Sequence, residues 1–123
     1  MTLSLTGSDD ANGASLITLE RYRQRDSEGW TAEHDDGHTL GEMAAAGACY
    51  ALLSTRWRDS AILGSSLIRS VLWPWDAEWF KPSDYPDPPY TPNVHDERRI
   101  RDLTKAGALI AAEIDRLQRR RRV

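Results

Sequence analysis

The last quarter of the chain carries the pattern that most constrains the fold. Apolar or small residues recur there at steps of three, four, three, four and three: Ile100, Leu103, Gly107, Ile110, Ile114 and Leu117. This heptad-like spacing predicts an amphipathic helix with one narrow stripe that packs against another helix. Asp96 is a suitable N-cap, so we predict a helix over residues 96–119. Because no alternation of apolar and polar residues is long enough for a strand, the expected fold is all-α.

Residues 39–53 predict a second helix, which is rich in small residues. The sequence Thr39-Leu-Gly-Glu42 matches a capping box, in which Thr39 accepts a hydrogen bond at the helix start and Glu42 reaches back. Leu40, Met43, Ala44, Gly47 and Ala51 share one face of this helix. A face this flat lets another helix approach closely, so we expect it to pack on the helix over 96–119.

The remaining segments complete a domain of three to four helices. Residues 1–14 predict a mobile arm, and Ser15 is the expected cap of a helix over 15–27. Asp59 is a candidate cap for a helix that ends near Val71. All six prolines lie between residues 74 and 92, which predicts an irregular Trp/Pro-rich excursion, poorly ordered over 83–94. We therefore expect one helical domain over 15–119 and a basic tail over 120–123.

Length and composition exclude several classes of protein. With 123 residues, the chain is too short for a barrel, a kinase or a two-half Rossmann fold. No apolar run reaches the ~18 residues of a membrane span, and Met1–Ser15 lacks the features of a signal peptide. Cys49 is the single cysteine, so neither a disulfide nor a cysteine-rich zinc site is expected. These features predict a cytoplasmic protein.

The charge is distributed unevenly along the chain. Residues 98–123 contain nine arginines and lysines against three acidic residues, so this segment carries about +6; by difference from the net charge of −3, residues 1–97 carry about −9. Such polarity suits a head-to-tail contact, a phosphate-bearing ligand or a solubilising tail. Together with the heptad-like stripe, it predicts a homo-oligomer.

Acidic and histidine residues cluster between positions 33 and 42. If this stretch is helical, Asp35, His38 and Glu42 lie on one side at positions i, i+3 and i+7, and His34, His38 and Glu42 form an alternative set. Carboxylates suit Mg²⁺ or Mn²⁺, and imidazoles suit zinc. The alternatives are direct ligand contact without metal and a solvated acidic turn that caps the following helix.

The chain is unusually rich in tryptophan, with five in all. Trp30, Trp73, Trp75 and Trp79 can stack on a nucleobase or another planar ligand, next to a candidate phosphate contact at Lys81. The alternative is that they fill a small helical core that has one phenylalanine. The arginines at 119–122 can contact phosphate or form a solvated helix end, and no nucleic-acid-binding motif is visible.

Several motifs together resemble a family of small phage and prophage proteins, over most of residues 16–119. These motifs are Glu20-Arg-x-Arg-Gln24, Glu28-Gly-Trp-Thr-x-Glu-His-Asp-Asp-x-His38, Gly41-Glu-Met-Ala44, Trp73-Pro-Trp-Asp76, Trp79-Phe-Lys-Pro82, Arg101-Asp-Leu-x-Lys-Ala-Gly-Ala-Leu-Ile110 and Ala112-Glu-Ile-Asp-Arg-Leu117. The resemblance implies an accessory phage protein in the cytoplasm of an infected or lysogenic bacterium. Such proteins often manage nucleotides or counter host defences.

Two more distant resemblances point to specific chemistry. The helix that begins Gly41-Glu42-Met-Ala44, followed by a second long helix, is similar to the all-α MazG-type nucleotide pyrophosphohydrolases. These hold Mg²⁺ with an acidic pair on each of two helices, of which Glu42 and Asp102 are the matching residues here; Ala45, Ala46 and Lys105 replace the others. Gly29-Trp30-Thr31 with Asp35-Asp36 resembles the ryanodine-receptor repeat domain, which implies a reader of nucleotide-type ligands.

The residues and resemblances lead to three hypotheses. The first is a non-enzymatic protein that counters host defence, by sequestering a nucleotide-type signal or by inhibiting a defence protein; it needs no cofactor. Its candidate ligand-binding residues are Trp30, His34, His38, Trp73, Trp75, Trp79, Lys81, Arg98, Arg101 and Lys105. The second is a hydrolase dependent on Mg²⁺ or Mn²⁺, with the metal held by Glu33, Asp35, Asp36, Glu42 and Asp102. The third is a structural or assembly protein whose tryptophans are buried against one another.

Overall fold

The computed structural model describes residues 11–55, 68–83 and 92–122. This part of the chain is all-helical and contains no strand, which confirms the predicted fold class. Its four α-helices are α1 (Gly13–Glu28), α2 (Ala32–Asp36), α3 (Glu42–Leu53) and α4 (Pro92–Arg121). A π-helical turn spans Ile68–Leu72, and a 3₁₀ turn spans Ala77–Trp79. The rest of the helix proposed after Asp59 lies outside the described residues, as do positions 1–10 of the predicted arm and most of 83–94.

The small-residue helix α3 packs against the long helix α4, as predicted. A Cβ atom at Gly47 would lie 3.0 Å from the carbonyl oxygen of Ala106 and 3.1 Å from Cγ1 of Ile110. The two backbones are therefore as close as a glycine allows. Met43, Ala46, Cys49 and Tyr50 are buried on the same side of α3, so the contact between these two helices forms the centre of the fold.

Helix α1 crosses α4 on another side and begins earlier than the sequence predicts. Asn12, rather than Ser15, is the N-cap: its side-chain oxygen accepts a hydrogen bond from the Ser15 backbone N–H at 2.9 Å. A Cβ atom at Gly107 would lie 2.4 Å from Cδ1 of Ile17. Arg21 donates a hydrogen bond of 3.1 Å to Asp115. A glycine and an ion pair on α4 therefore seat α1.

The structure corrects two other predicted helix starts. Gly41 precedes α3 in the left-handed region, with φ of 83°, and no side chain caps this end. The Glu42 carboxylate accepts from the Leu40 backbone N–H at 2.5 Å, and Thr39 takes no part in a capping box. Helix α4 begins at Pro92 rather than after Asp96, because proline is pre-organised for the first helical position. At its other end α4 extends to Arg121, so part of the predicted tail is helical.

The predicted stripe on α4 is covered only in its middle, where Gly107 meets Ile17 of α1 and Ile110 meets Gly47 of α3. Ile100, Leu103, Ile110 and Ile114 are 52%, 43%, 44% and 52% exposed. The buried residues of α4 lie on the other side: His95, Asp102, Ala106, Ala108, Leu109, Ala112, Glu113 and Arg116. Helices that approach closely need small residues at the contact, so the alanines face inward and the larger aliphatic side chains remain at the surface.

The aromatic segment after the π-helical turn packs onto α3. Tyr50 makes edge-to-face contacts with Trp73 and Phe80, and those two rings stack with centroids 4.4 Å apart. The Lys81 backbone N–H donates to the Tyr50 hydroxyl at 3.0 Å, and the Ser83 N–H donates to the buried Asp102 carboxylate at 3.0 Å. The segment therefore closes one end of the helical core. Within the described ranges, no helix combines the length and apolarity that crossing a membrane requires.

Candidate functional site

Three tryptophans and two histidines surround an open cleft of about 570 Å³. We call it the aromatic cleft and define it by its lining residues: Glu28, Trp30, His34, His38, Pro74, Trp75, Asp76 and Trp79. The structure thus brings together five of the ten candidate ligand-binding residues: Trp30, His34, His38, Trp75 and Trp79. They come from two segments that lie more than 35 positions apart in the sequence.

One wall of the aromatic cleft is a row of rings four residues apart. Trp30 and His34 stack with their planes 2° apart and centroids at 5.9 Å, and His34 meets His38 edge-on at 5.0 Å. Gly29 ends α1 in the left-handed region (φ 75°), and the Trp30 N–H returns to the Gln24 carbonyl at 3.1 Å. The Thr31 hydroxyl then accepts from the His34 N–H and caps α2. The end of α1 thus positions Trp30 just before α2, and the cap of α2 positions His34 in its first turn.

Trp75 and Trp79 form the opposite wall. Trp75 contacts the His38 ring at a centroid distance of 5.0 Å and the Trp73 ring at 5.4 Å. Trp73 itself is 7% exposed, and its indole N–H donates to the Asp76 carbonyl at 3.0 Å. Trp73 is therefore a core residue that supports the wall from behind and does not line the cleft.

The charged side chains that line the aromatic cleft are two carboxylates, those of Glu28 and Asp76. Glu28 accepts a hydrogen bond from Arg23 at 3.1 Å. Hydrogen bonds from Arg23 to Glu20 and Glu28, the first of them dominant, raise the pKa of the guanidinium above its usual value. No lysine or arginine is among the described lining residues, so the cleft offers hydrogen-bond acceptors together with aromatic surface.

Both histidines of the row contact a neighbouring carboxylate. His34 Nδ1 lies 3.1 Å from Asp35, and His38 Nδ1 lies 3.4 Å from Glu42. Burial raises the Glu42 pKa, but hydrogen bonds from the Glu42 and Leu40 backbone N–H groups and from His38 outweigh it, so the net shift is downward. The carboxylates of the predicted acidic cluster thus orient the imidazole rings of the cleft wall.

The candidate phosphate contacts lie outside the aromatic cleft. Lys81 and Lys105 line a neighbouring hollow of about 40 Å³ that shares Glu28, Trp30 and Trp79 with the cleft. The Lys105 ammonium donates to the Lys81 carbonyl at 2.8 Å, and burial lowers the pKa of Lys105. The Lys81 ammonium lies 5.9 Å from the centroid of the Trp79 ring, at the rim of the cleft.

The candidate arginines on α4 do not line the aromatic cleft either. Arg101 donates to the Ser83 hydroxyl at 3.4 Å, near the end of the aromatic segment. Arg98 is half-buried in the first half of α4. Further along α4, Arg119 bonds Asp36 at 2.7 Å. The opposite charges of the two chain halves are thus partly matched within the molecule.

The candidate metal ligands do not converge on one point. Among the residues that the structure describes, no group of three His, Cys, Asp or Glu side chains is placed to hold a metal ion. Asp35 is buried and faces Arg21, with 3.9 Å between charged atoms, while Glu33 and Asp36 are exposed. His38 and Glu42 remain as a pair without a third ligand.

Glu42 and Asp102, the carboxylates of the hydrolase hypothesis, lie far apart. Tyr50, near the end of α3, lies beside Lys105, and Gly47, one turn earlier, lies beside Ala106 and Ile110. Helix α3 therefore runs antiparallel to α4, and Glu42 at its start lies beyond Ile110, toward the C-terminal end of α4. Asp102 is eight positions before Ile110 on α4, about 12 Å at 1.5 Å per residue, and Glu42 lies beyond Ile110. A shared metal would need both within ~2–3 Å, so this geometry does not favour the hydrolase.

Three lining residues were not singled out from the sequence as ligand contacts: Glu28, Pro74 and Asp76. Each adjoins a predicted tryptophan motif, since Glu28 precedes Gly29-Trp30 and the other two flank Trp75. Proximity to those motifs was the available signal. The chain was also compared with protein-family models, curated proteins and solved structures, and none of the three comparisons finds a match.

Proposed function

We propose that this protein is a non-enzymatic binding protein that holds a planar, nucleobase-like ligand in the aromatic cleft. The observation that carries the proposal is the convergence of three indoles and two imidazoles on one volume of about 570 Å³. Small-molecule sites typically occupy ~300–1,000 Å³ and have mostly apolar or aromatic walls with a few polar groups. A base stacked on an aromatic side chain contributes ~1–3 kcal/mol to binding.

The charges around the aromatic cleft suggest how a nucleotide would be oriented. The carboxylates of Glu28 and Asp76 accept hydrogen bonds, so they complement the amino and ring N–H donors of a base. They would repel a phosphate placed beside them. We therefore propose that the base enters the cleft and that the phosphates extend past Trp79 toward Lys81, which lies at the rim.

The biological role that we propose is sequestration of a nucleotide-type signal by a phage-encoded protein in the host cytoplasm. The motif resemblance supports the phage origin, and the exposed aromatic walls support ligand capture. Trp79 is 48% exposed, as a capture site requires and as a protein with mutually buried tryptophans would not show. The separation of Glu42 from Asp102 supports binding over hydrolysis.

Titration with base-bearing and base-free compounds tests the proposal. We expect nucleosides and nucleotides to quench tryptophan fluorescence and to give a calorimetric binding signal, and ribose 5-phosphate to give neither. Trp75→Ala and Trp79→Ala should each weaken binding about tenfold, since each removes a stacking surface worth ~1–3 kcal/mol. Tyr22→Ala is the matched control, because Tyr22 is an exposed aromatic residue on α1 that does not line the cleft.

Two results would contradict the proposal. One is the absence of binding for every base-bearing compound. The other is unchanged affinity in both tryptophan variants when circular dichroism shows that they are folded. Chromatography of the bound compound after heat denaturation separates capture from turnover: recovery of the intact nucleotide supports sequestration, and conversion in the presence of Mg²⁺ or Mn²⁺ supports the hydrolase instead.

A further inference from the structure

A small polar hollow lies between the aromatic cleft and the core. It has a volume of about 40 Å³, shares Glu28, Trp30 and Trp79 with the cleft, and is also lined by the core residues Tyr50 and Leu109. A site for one water molecule needs about 10–15 Å³, so the hollow has room for a few polar atoms but not for a second ring. We call it the polar hollow and define it by its other lining residues: Glu20, Arg23, Gln24, Lys81 and Lys105.

The side chain of Gln24 brings a buried hydrogen-bond acceptor to the polar hollow. Gln24 is 2% exposed, and its Nε2 donates to the Glu20 carboxylate at 3.1 Å. That bond fixes the orientation of the amide, so Oε1 is the atom left for another partner. No donor in the part of the chain that the structure describes bonds this oxygen. Because a buried acceptor without a donor is unfavourable, Gln24 Oε1 marks a position for a donor from a ligand.

The charged side chains of the polar hollow differ in how far they are already engaged. Arg23 donates through all three guanidinium nitrogens, to Glu20 at 2.8 and 2.7 Å and to Glu28 at 3.1 Å. The Lys105 ammonium has three N–H donors, and one of them bonds the Lys81 carbonyl at 2.8 Å. The polar hollow therefore offers a ligand one acceptor, at Gln24, and one donor group, at Lys105.

The backbone holds Gln24 next to the stacking surface of the aromatic cleft. The Trp30 N–H donates to the Gln24 carbonyl at 3.1 Å, and Trp30 lines both the cleft and the polar hollow. A ring that stacks on Trp30 can therefore extend one edge into the polar hollow while the rest of the molecule stays in the wider cleft.

We propose that the polar hollow receives the hydrogen-bonding edge of the stacked ring, with a ligand N–H donating to Gln24 Oε1 and a neighbouring ligand acceptor bound by the Lys105 ammonium. The ligand class is a planar heterocycle with a donor next to an acceptor on one edge, as an unpaired nucleobase has. This inference rests on the base-binding function proposed for the aromatic cleft, and it assigns Gln24 and Lys105 as the residues that select among planar ligands.

Calorimetric titration of the wild type with matched ligand pairs tests the edge contact. Adenosine and purine riboside share ring and sugar, but purine riboside lacks the amino donor; inosine with 1-methylinosine, and uridine with 3-methyluridine, differ likewise by one ring N–H. We expect the member without the donor to bind about tenfold more weakly or worse, because it leaves Gln24 Oε1 buried without a partner. Equal affinities within every pair that binds overturn this inference and leave the proposed function standing. No binding by any base-bearing compound overturns both.

The variant Gln24→Met tests the assignment of the acceptor. It keeps the length of the side chain and removes the oxygen, so adenosine should bind about tenfold more weakly while the affinity for purine riboside stays unchanged. A purely structural role of Gln24 would weaken both ligands equally. Gln118→Met is the matched control, since Gln118 is exposed on α4 and lines neither the cleft nor the polar hollow.

The preference for adenosine over purine riboside is the quantity that decides. A Gln24→Met protein that is folded by circular dichroism and retains the full preference overturns the assignment, as does an equal loss for both ligands. If Gln24→Met does not fold, the ligand pairs measured on the wild type still decide whether the edge donor is bound.

Discussion

The two sides of α4 differ in residue type and in how far they are exposed. The side that packs against α1 and α3 contains alanines, one leucine and charged groups such as Asp102 and Glu113. The opposite side contains isoleucines and leucines that are about half exposed. Close helix contacts require small side chains, so the larger aliphatic side chains of α4 stay at the edge of the contact. The comparison teaches that the more apolar side of a helix need not be the side that its own domain buries.

The largest expected effect is the difference in the free energy of unfolding between substitutions on the two sides of α4. Leu109 is 2% exposed, so Leu109→Ala should lower the free energy of unfolding by about 2–5 kcal/mol. Ile114→Ala removes a 52% exposed side chain and should change it by about 0.5 kcal/mol or less in dilute, monomeric protein. Urea denaturation measures both. An equal loss of unfolding free energy in the two variants would contradict the distinction between the buried and the exposed side.

A smaller effect is expected at a buried charge on the packed side. The Asp102 carboxylate is fully buried and accepts the Ser83 N–H at 3.0 Å. Asp102→Ala should lower the free energy of unfolding by about 1–3 kcal/mol, because it leaves that N–H without its acceptor. The neighbouring exposed Arg101 provides the control: Arg101→Ala should cost about 0.5 kcal/mol or less. Urea denaturation measures both variants. An equal loss of unfolding free energy in Arg101→Ala and Asp102→Ala would contradict this assignment.

The smallest effect is expected where α3 brings a charge to the packed side of α4. The pKa of Glu42 lies below its usual 4.5 in the folded protein, so this carboxylate stabilises the fold above that pH and loses its contribution as the pH falls through the lowered pKa. Glu42→Gln should cost about 0.5 kcal/mol at neutral pH, as is typical of a charge in the first turn of a helix. Thermal melts of variant and wild type should converge at acid pH; a constant difference would contradict this assignment.

Local sequence signals predicted the helices better than their boundaries. The small residues of α3 and the heptad spacing of α4 were enough to predict both helices and that they pack together, but not the side of α4 that is buried. The capping boundaries differ because several residues near each end can cap: Asn12 rather than Ser15 starts α1, and Pro92 rather than Asp96 starts α4. Which candidate residue begins a helix depends on the direction from which the preceding segment approaches it, and tertiary contacts set that direction.

The sequence predicted the types of residue that line the aromatic cleft but only some of the contacts between them. His34 and His38 are four positions apart, so their common side followed from helical spacing, whereas Trp30 precedes α2 and its place beside His34 did not. No local pattern predicted that Trp75 contacts His38 or that Trp73 packs inward onto Phe80. Trp73 packs inward against Tyr50 on α3, a contact between residues 23 positions apart in the sequence.

The sequence by itself determined the helical fold class, the existence of α3 and α4 and the presence of an amphipathic stripe, because each depends on residue spacing within one segment. Tertiary structure alone decided which side of α4 is buried and which tryptophans reach the surface. The physical reason is that burial depends on how closely two backbones approach and on which long-range partners are available. Glycine and alanine permit the closest approach at α4, and the larger isoleucine side chains stay about half exposed beside that contact.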